Sequence, residues 1–181
     1  MALREVLQFP DSRLKQKSRT IERVSEEHRQ LAQDMCEVMY DEPGIGLAAP
    51  QLGEHVRLIV VDTEWSEEDQ EPNALIVVNP ELQEPEGTIK WNEGCLSVPD
   101  FNADVERAER VTLRGFDLDG NPIEEHVEGL RAVCFQHEVD HLDGILFIDR
   151  ISRLKRSLYV KKRKKQLALE SEDDERDGAR L

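Results

Sequence analysis

Apolar and polar residues recur along this chain in short blocks whose spacing predicts a mixture of strands and helices. Met1 to Pro10 alternates loosely as a strand would, and Pro10 breaks it just before Asp11 and Ser12, which can cap a short helix. Ser25 is a second start signal: Leu31, Met35, Val38 and Met39 follow on one stripe, which predicts an amphipathic helix ending near Tyr40. Cys36 flanks that stripe and His28 falls on its wet side, so both are expected to be structural. Arg57 to Asp62 and Leu75 to Asn79 are β-branched runs that predict strands, separated by a solvated acidic loop from Glu64 to Pro72. His55 is expected in an exposed turn. Pro80 to Pro85 is expected to be irregular and Thr88 to Trp91 to form another strand. Arg110 to Phe116 and Pro122 to Val127 alternate around Asp117-Leu118-Asp119-Gly120-Asn121, which predicts a hairpin with His126 facing outward.

Two further segments complete the chain. Gly129 to Gly144 carries Leu130, Val133, Cys134, Phe135, Val139 and Leu142, with Ile145 just beyond, enough apolar side chains to bury a helix. After the apolar run Ile145 to Ile151, positive charge concentrates between Arg153 and Lys165 on a predicted basic helix of about 152–168. The last segment, Glu170 to Leu181, is acidic, lacks a core pattern and is expected to be disordered. At 181 residues the expected organisation is one domain, 1–169, followed by the tail 170–181.

Composition narrows the function classes. A net charge of -15 argues against a globally basic binder of nucleic acid, so no DNA partner is expected. Three cysteines, Cys36, Cys95 and Cys134, cannot all pair, and their sparse use suggests a reducing interior. No apolar run approaches the roughly 20 residues that span a bilayer, and no charged-then-apolar leader opens the chain; the expected location is the cytoplasm.

The chemistry concentrates in His137-Glu138-Val139-Asp140-His141, the pattern H-E-x-x-H. Residues four apart lie about 6 Å from each other along a helix axis, on one face, so both imidazoles can converge on one metal ion, with Glu138 placed to carry a proton. Two unpaired imidazoles and a carboxylate on a buried helix would otherwise be costly to desolvate. A catalytic site usually takes a third protein ligand. The continuation H-x-x-G-x-x-H fails at Phe147, and no Asp or Glu occurs from Arg150 to Leu169, so the third ligand is sought upstream, where Cys95 lies in Glu93-Gly94-Cys95-Leu96-Ser97. The stretch Gly44-Ile45-Gly46-Leu47-Ala48-Ala49-Pro50-Gln51 allows close backbone approach, but lacks the Gly-Lys-Ser/Thr ending of a phosphate loop and the glycine spacing of a dinucleotide turn.

Taken together, Gly44 to Gln51, Glu93 to Ser97 and Gln136 to His141 resemble the signature set of bacterial peptide deformylases, a likeness covering roughly residues 1–165. The resemblance implies an α+β fold, with antiparallel β-sheets packed around a central metal-binding helix and a C-terminal helix. It implies removal of the N-formyl group from the initiator methionine of nascent chains. It implies one divalent metal, natively Fe(II) and replaceable by Zn, Ni or Co, held by Cys95, His137 and His141. Glu138 would be the proton carrier, with the amide of Gln51 and the backbone N–H of Leu96 stabilising the oxyanion. Ile45, Gly46 and Gly94 would pair with the peptide backbone, Leu130, Val133 and Cys134 would line the methionine pocket beside the His137 ring, and Glu93 would pair with Arg107. Trp91 and Asn102 fall near the cleft where relatives vary. Further expectations are a monomer without a membrane partner and ribosome docking through Arg153 to Lys165. Two rivals share the helix, a zinc endopeptidase and a silent metal-stapled binding module; the second would be marked by loss of Glu138, Gln51 or Cys95, and all three are present.

Overall fold

The computed structural model describes residues 4–66 and 71–178. Its helices are α1 (Glu26–Asp41), α2 (Gly129–Leu142) and α3 (Arg153–Gly178), and its strands are β1 (Gly46–Ala48), β2 (Leu58–Val61), β3 (Leu75–Glu86), β4 (Ile89–Cys95), β5 (Val98–Arg107), β6 (Arg110–Phe116) and β7 (Pro122–Glu128). Short 3-10 turns occupy Ser12–Lys15, Ala49–Leu52 and Phe147–Asp149. Five strands form one antiparallel sheet in the order β1-β2-β3-β6-β7, and β4 and β5 pair as a separate antiparallel ribbon. The fold is α+β, with α2 at its centre.

Strand β2 shows why its sequence is apolar without interruption. Leu58 and Val60 face α1, packing with Leu31, Met35, Val38 and Met39, whereas Ile59 and Val61 face the other way, onto the cluster that holds Ala132, Phe135 and Leu142 of α2. Both faces are covered, so alternation disappears. A third cluster, built from Leu14, Val98, Ala103, Val105, Leu146, Phe147, Ile148 and Tyr159, packs α3 and the ribbon together.

The hairpin β6-β7 has the expected turn and exposed His126, although Thr112 Oγ1 and His126 Nδ1 lie 2.9 Å apart across it. Four expectations change. Residues 4–8 join no strand; Leu7 and Phe9 instead donate backbone N–H groups to Gln51 O (2.7 Å) and Ser97 O (2.8 Å). Strand β3 continues through Pro80 and Pro85 because the ladder shifts register around them, with Asn79 and Glu84 at φ 51° and 52°. His28 has a capping role, accepting the Ser25 N–H at 3.0 Å. Helix α3 runs on to Gly178, through acidic residues expected to lack structure; extending an established helix adds one hydrogen bond per residue, and Glu and Arg are good helix formers. Residues 67–70 of the acidic loop and 179–181 of the tail lie outside the described residues.

Candidate active site

Helix α2 brings the chemistry to the interior. It opens at Gly129 (φ +60°), whose N–H donates to Glu109 O, and ends at Leu142, two residues before Gly144 (φ +73°), where a Cβ would lie 2.4 Å from Lys15 O. Between these ends it buries Ala132, Val133, Cys134, Phe135 and Leu142 together with His137, Glu138, Asp140 and His141. A helix with this much polar surface inside must find partners for it.

Strand β4 supplies them. Cys95, at its end, has Sγ 3.2 Å from His141 Nε2, and the Nε2 atoms of His137 and His141 are also 3.2 Å apart. All three donor atoms lie within 4.8 Å of one another. Tetrahedral coordination with metal–nitrogen bonds near 2.05 Å would set two such nitrogens about 3.3 Å apart, so the spacing suits one ion. Two buried imidazoles facing through Nε2 cannot both carry protons there. Burial opposes a charge on either ring; Cys95 and Glu93 overcome it at His137, raising its pKa well above the usual value, and that charge then pushes His141 well below. The donor set of one sulfur and two ring nitrogens therefore fits a divalent metal.

Around the three donors, Glu93 accepts from His137 Nδ1 (2.7 Å) and from Arg107 Nε and Nη2 (2.7 and 2.9 Å). Burial disfavours its charge, but Arg107 and His137 outweigh that and hold its carboxyl at about 2. The Glu93–Arg107 pair is thus present, and Asp140 and Arg150, neither of which has a role in the motif reading, extend it. Gln51 sits in the 3-10 turn after β1. Its Oε1 accepts the Ala48 N–H (2.9 Å), which turns Nε2 toward Ser97 Oγ (3.1 Å) and Cys95 Sγ (3.7 Å). Ser97, fully buried, also had no assigned role; its place in the Cys95 loop was its only signal. Phe147, where a third His was sought, stacks on His137 with centroids 6.2 Å apart.

A cleft of about 510 Å³ opens over this centre. Its lining includes Ile45, Gly46 and Gln51 from one side, Gly94, Cys95 and Leu96 from another, and Leu130, Val133, Cys134, His137 and Glu138 from α2. Trp91 and Asn102 are also there. His141 lies beneath, 1 % exposed. Glu138 is 4 % exposed, its Oε2 bonds to no other group, and burial raises its pKa to about 7, with His137 opposing and Glu93 adding to the rise. Its other oxygen lies so close to Gly46 that a Cβ there would be 2.5 Å from it. Every site residue expected from the sequence is therefore gathered at this cleft or directly under it.

Comparison with known proteins places this architecture. The family model described as Polypeptide deformylase matches residues 3–157. A peptide deformylase of Rhodopseudomonas palustris is 49% identical over 163 residues, covering 90% of this chain and 93% of that protein. One of Zymomonas mobilis is 50% identical over 173 residues, covering 93% and 97%. Among solved structures, a peptide deformylase from Legionella pneumophila superimposes with a TM-score of 0.84 at 41% identity, covering 94% of this chain and 98% of that one. One from Ehrlichia chaffeensis, in complex with actinonin, gives 0.83 at 34%, covering 92% and 98%.

Proposed function

This chain belongs to the polypeptide deformylase family, enzymes that remove the N-formyl group from nascent peptides, and we propose that Cys95, His137 and His141 hold its metal while Glu138 moves the proton. The observation that carries this assignment is the convergence of one sulfur and two Nε2 atoms beside a buried carboxyl that bonds to no other group on one oxygen. A divalent ion held there supplies Lewis acidity, lowering the pKa of water and polarising the formyl carbonyl. By the family likeness the native ion is Fe(II), with Zn, Ni or Co as substitutes, and thiolate and imidazole donors are compatible with each of these.

The chain's own residues do the rest. Glu138, with its carboxyl raised toward neutrality, takes a proton from water and returns it to the departing amine, which leaves poorly as an anion. Gln51 Nε2, oriented by the Ala48 N–H, and the backbone N–H of Leu96 donate to the developing oxyanion; losing one such donor costs about 3 to 4 kcal/mol. Strand β1 is the edge of the main sheet and β4 pairs only with β5 among the described residues, so Ile45, Gly46 and Gly94 can take an extended peptide as an added strand. The methionine side chain enters between Leu130, Val133, Cys134 and the His137 ring.

Further proposals rest on the same assignment. The enzyme acts as a cytoplasmic monomer, and none of the described helices is long and apolar enough to cross a membrane. The exposed face of α3, with Arg153, Lys155, Arg156, Lys161, Lys162, Lys164 and Lys165, docks on the ribosome. The primary test is formate release from formyl-Met-Ala-Ser beside an unformylated peptide. Formate without internal cleavage is expected, and internal cleavage would favour an endopeptidase. Glu138→Ala should retain metal and lose turnover; near-normal turnover would remove Glu138 from the mechanism.

A further inference from the structure

Arg150 follows the last 3-10 turn, ten residues beyond Asp140 and outside every motif that marks the site. Its Nε and Nη2 donate to Asp140 Oδ2 and Oδ1, both at 2.5 Å. Arg107 Nη1 donates to the same Oδ2 at 2.5 Å, and the remaining edge of that guanidinium grips Glu93, which holds His137 Nδ1. We propose that Arg150 is a positioning residue for the metal centre, acting through Asp140, Arg107 and Glu93 to fix the ring of His137. This inference rests on the metal assignment made above.

Charge and geometry both support it. As a metal ligand His137 would be neutral, and Arg107 and Glu93 have side chains 2 % and 3 % exposed, and Asp140 10 %, so one guanidinium would face two buried carboxylates were it not for the second arginine. Arg150, with its side chain 41 % exposed, brings the set to neutrality while keeping one end in water. A paired buried carboxylate is tolerated, whereas an unpaired one is not. The planar forks also fix directions. With Asp140 held on both oxygens, Arg107 has one orientation that satisfies Asp140 and Glu93 together. Glu93 then holds His137 Nδ1–H, which leaves the Nε2 lone pair aimed at Cys95 and His141. Loosening Asp140 loosens each member in turn.

The test uses the whole chain loaded with Co(II), whose visible absorption reports ligand geometry, and follows metal loss to excess chelator. Arg150→Met keeps much of the stem and removes the fork; Arg150→Lys keeps the charge alone. Arg150→Met is expected to lose metal about 10-fold faster, with altered Co(II) bands and a fall in kcat larger than the change in KM, and Arg150→Lys to be intermediate. In an Asp140→Asn background, Arg150→Met should add nothing further, since the path has already been cut. Metal loss and Co(II) bands equal to the parent, even with a lowered Tm, would make Arg150 a purely structural residue and overturn the proposal. Should both variants of Arg150 fail to fold, Asp140→Asn with parent-like metal retention would overturn it as well. Failure of the metal assignment would look different: the parent's Co(II) absorption would survive Cys95→Ser unchanged, and the inference would fall with it.

Discussion

A methyl group at position 46 would sit 2.5 Å from Glu138 Oε1 and 2.8 Å from Cys134 Sγ, so glycine there is required by the space around the carboxyl. Gly46→Ala must push Glu138 or β1 aside. Displacements of about 1 Å at a reacting group cost on the order of 100-fold, and kcat should fall by that much while metal analysis shows the parent's content. A variant with parental turnover would mean that the cleft relaxes freely at this point. Sequence alone identified Gly46 as a place of close backbone approach, yet could not name what approaches, because Glu138 and Cys134 come from a helix some ninety residues away. The same distance hid Asp140 and Arg150. Inside H-E-x-x-H the Asp is merely one of the unassigned positions, and only folding sets Arg107 of β5 against it.

Elements were legible where one physical rule governed them. Helices α1 and α2 and the β6-β7 hairpin follow from periodicity and turn chemistry, whereas β5 escaped even though Phe101, Ala103 and Val105 alternate with Asn102, Asp104 and Glu106, because Asp and Asn are poor strand formers and one inward residue is the charged Arg107. The end of α2 is a sharper case. Gly144 has φ +73° and a backbone oxygen, Lys15 O, where a Cβ would go; Gly120 has φ +86° and open space. Gly120→Ala should therefore cost only the left-handed penalty, about 1 to 2 kcal/mol. Gly144→Ala should cost more, since Lys15 belongs to a fixed turn, and its Tm should drop clearly further in a thermal melt of the two variants. Equal losses would show that the Ser12–Lys15 turn yields without expense, and that α2 is not pinned at this end.

For the molecule as a whole, α3 is attached along one face. Tyr159 is buried, with its ring 4.7 Å from Phe101 and 5.9 Å from Phe9, and Arg163 donates to Phe9 O and Gln8 Oε1. Phe101 and Gln8 also line the cleft, so α3 supports a wall of the site as well as carrying the basic face. Removing the chain from residue 153 onward would strip away a buried aromatic, a loss of roughly 3 to 5 kcal/mol for Tyr159 alone, and would confuse docking with unfolding. Ending the chain after 169 leaves Tyr159 and Arg163 in place and should preserve Tm and formate release. Ribosome docking is then tested on the folded enzyme by replacing Lys161, Lys162 and Lys165, all exposed, with Glu. Parental protein should co-sediment with ribosomes at low salt and release as salt rises, because each neutralised phosphate contributes to the salt dependence. The triple variant should stay in the supernatant with its deformylation of free peptides intact, and equal pelleting of the two would defeat docking through this helix.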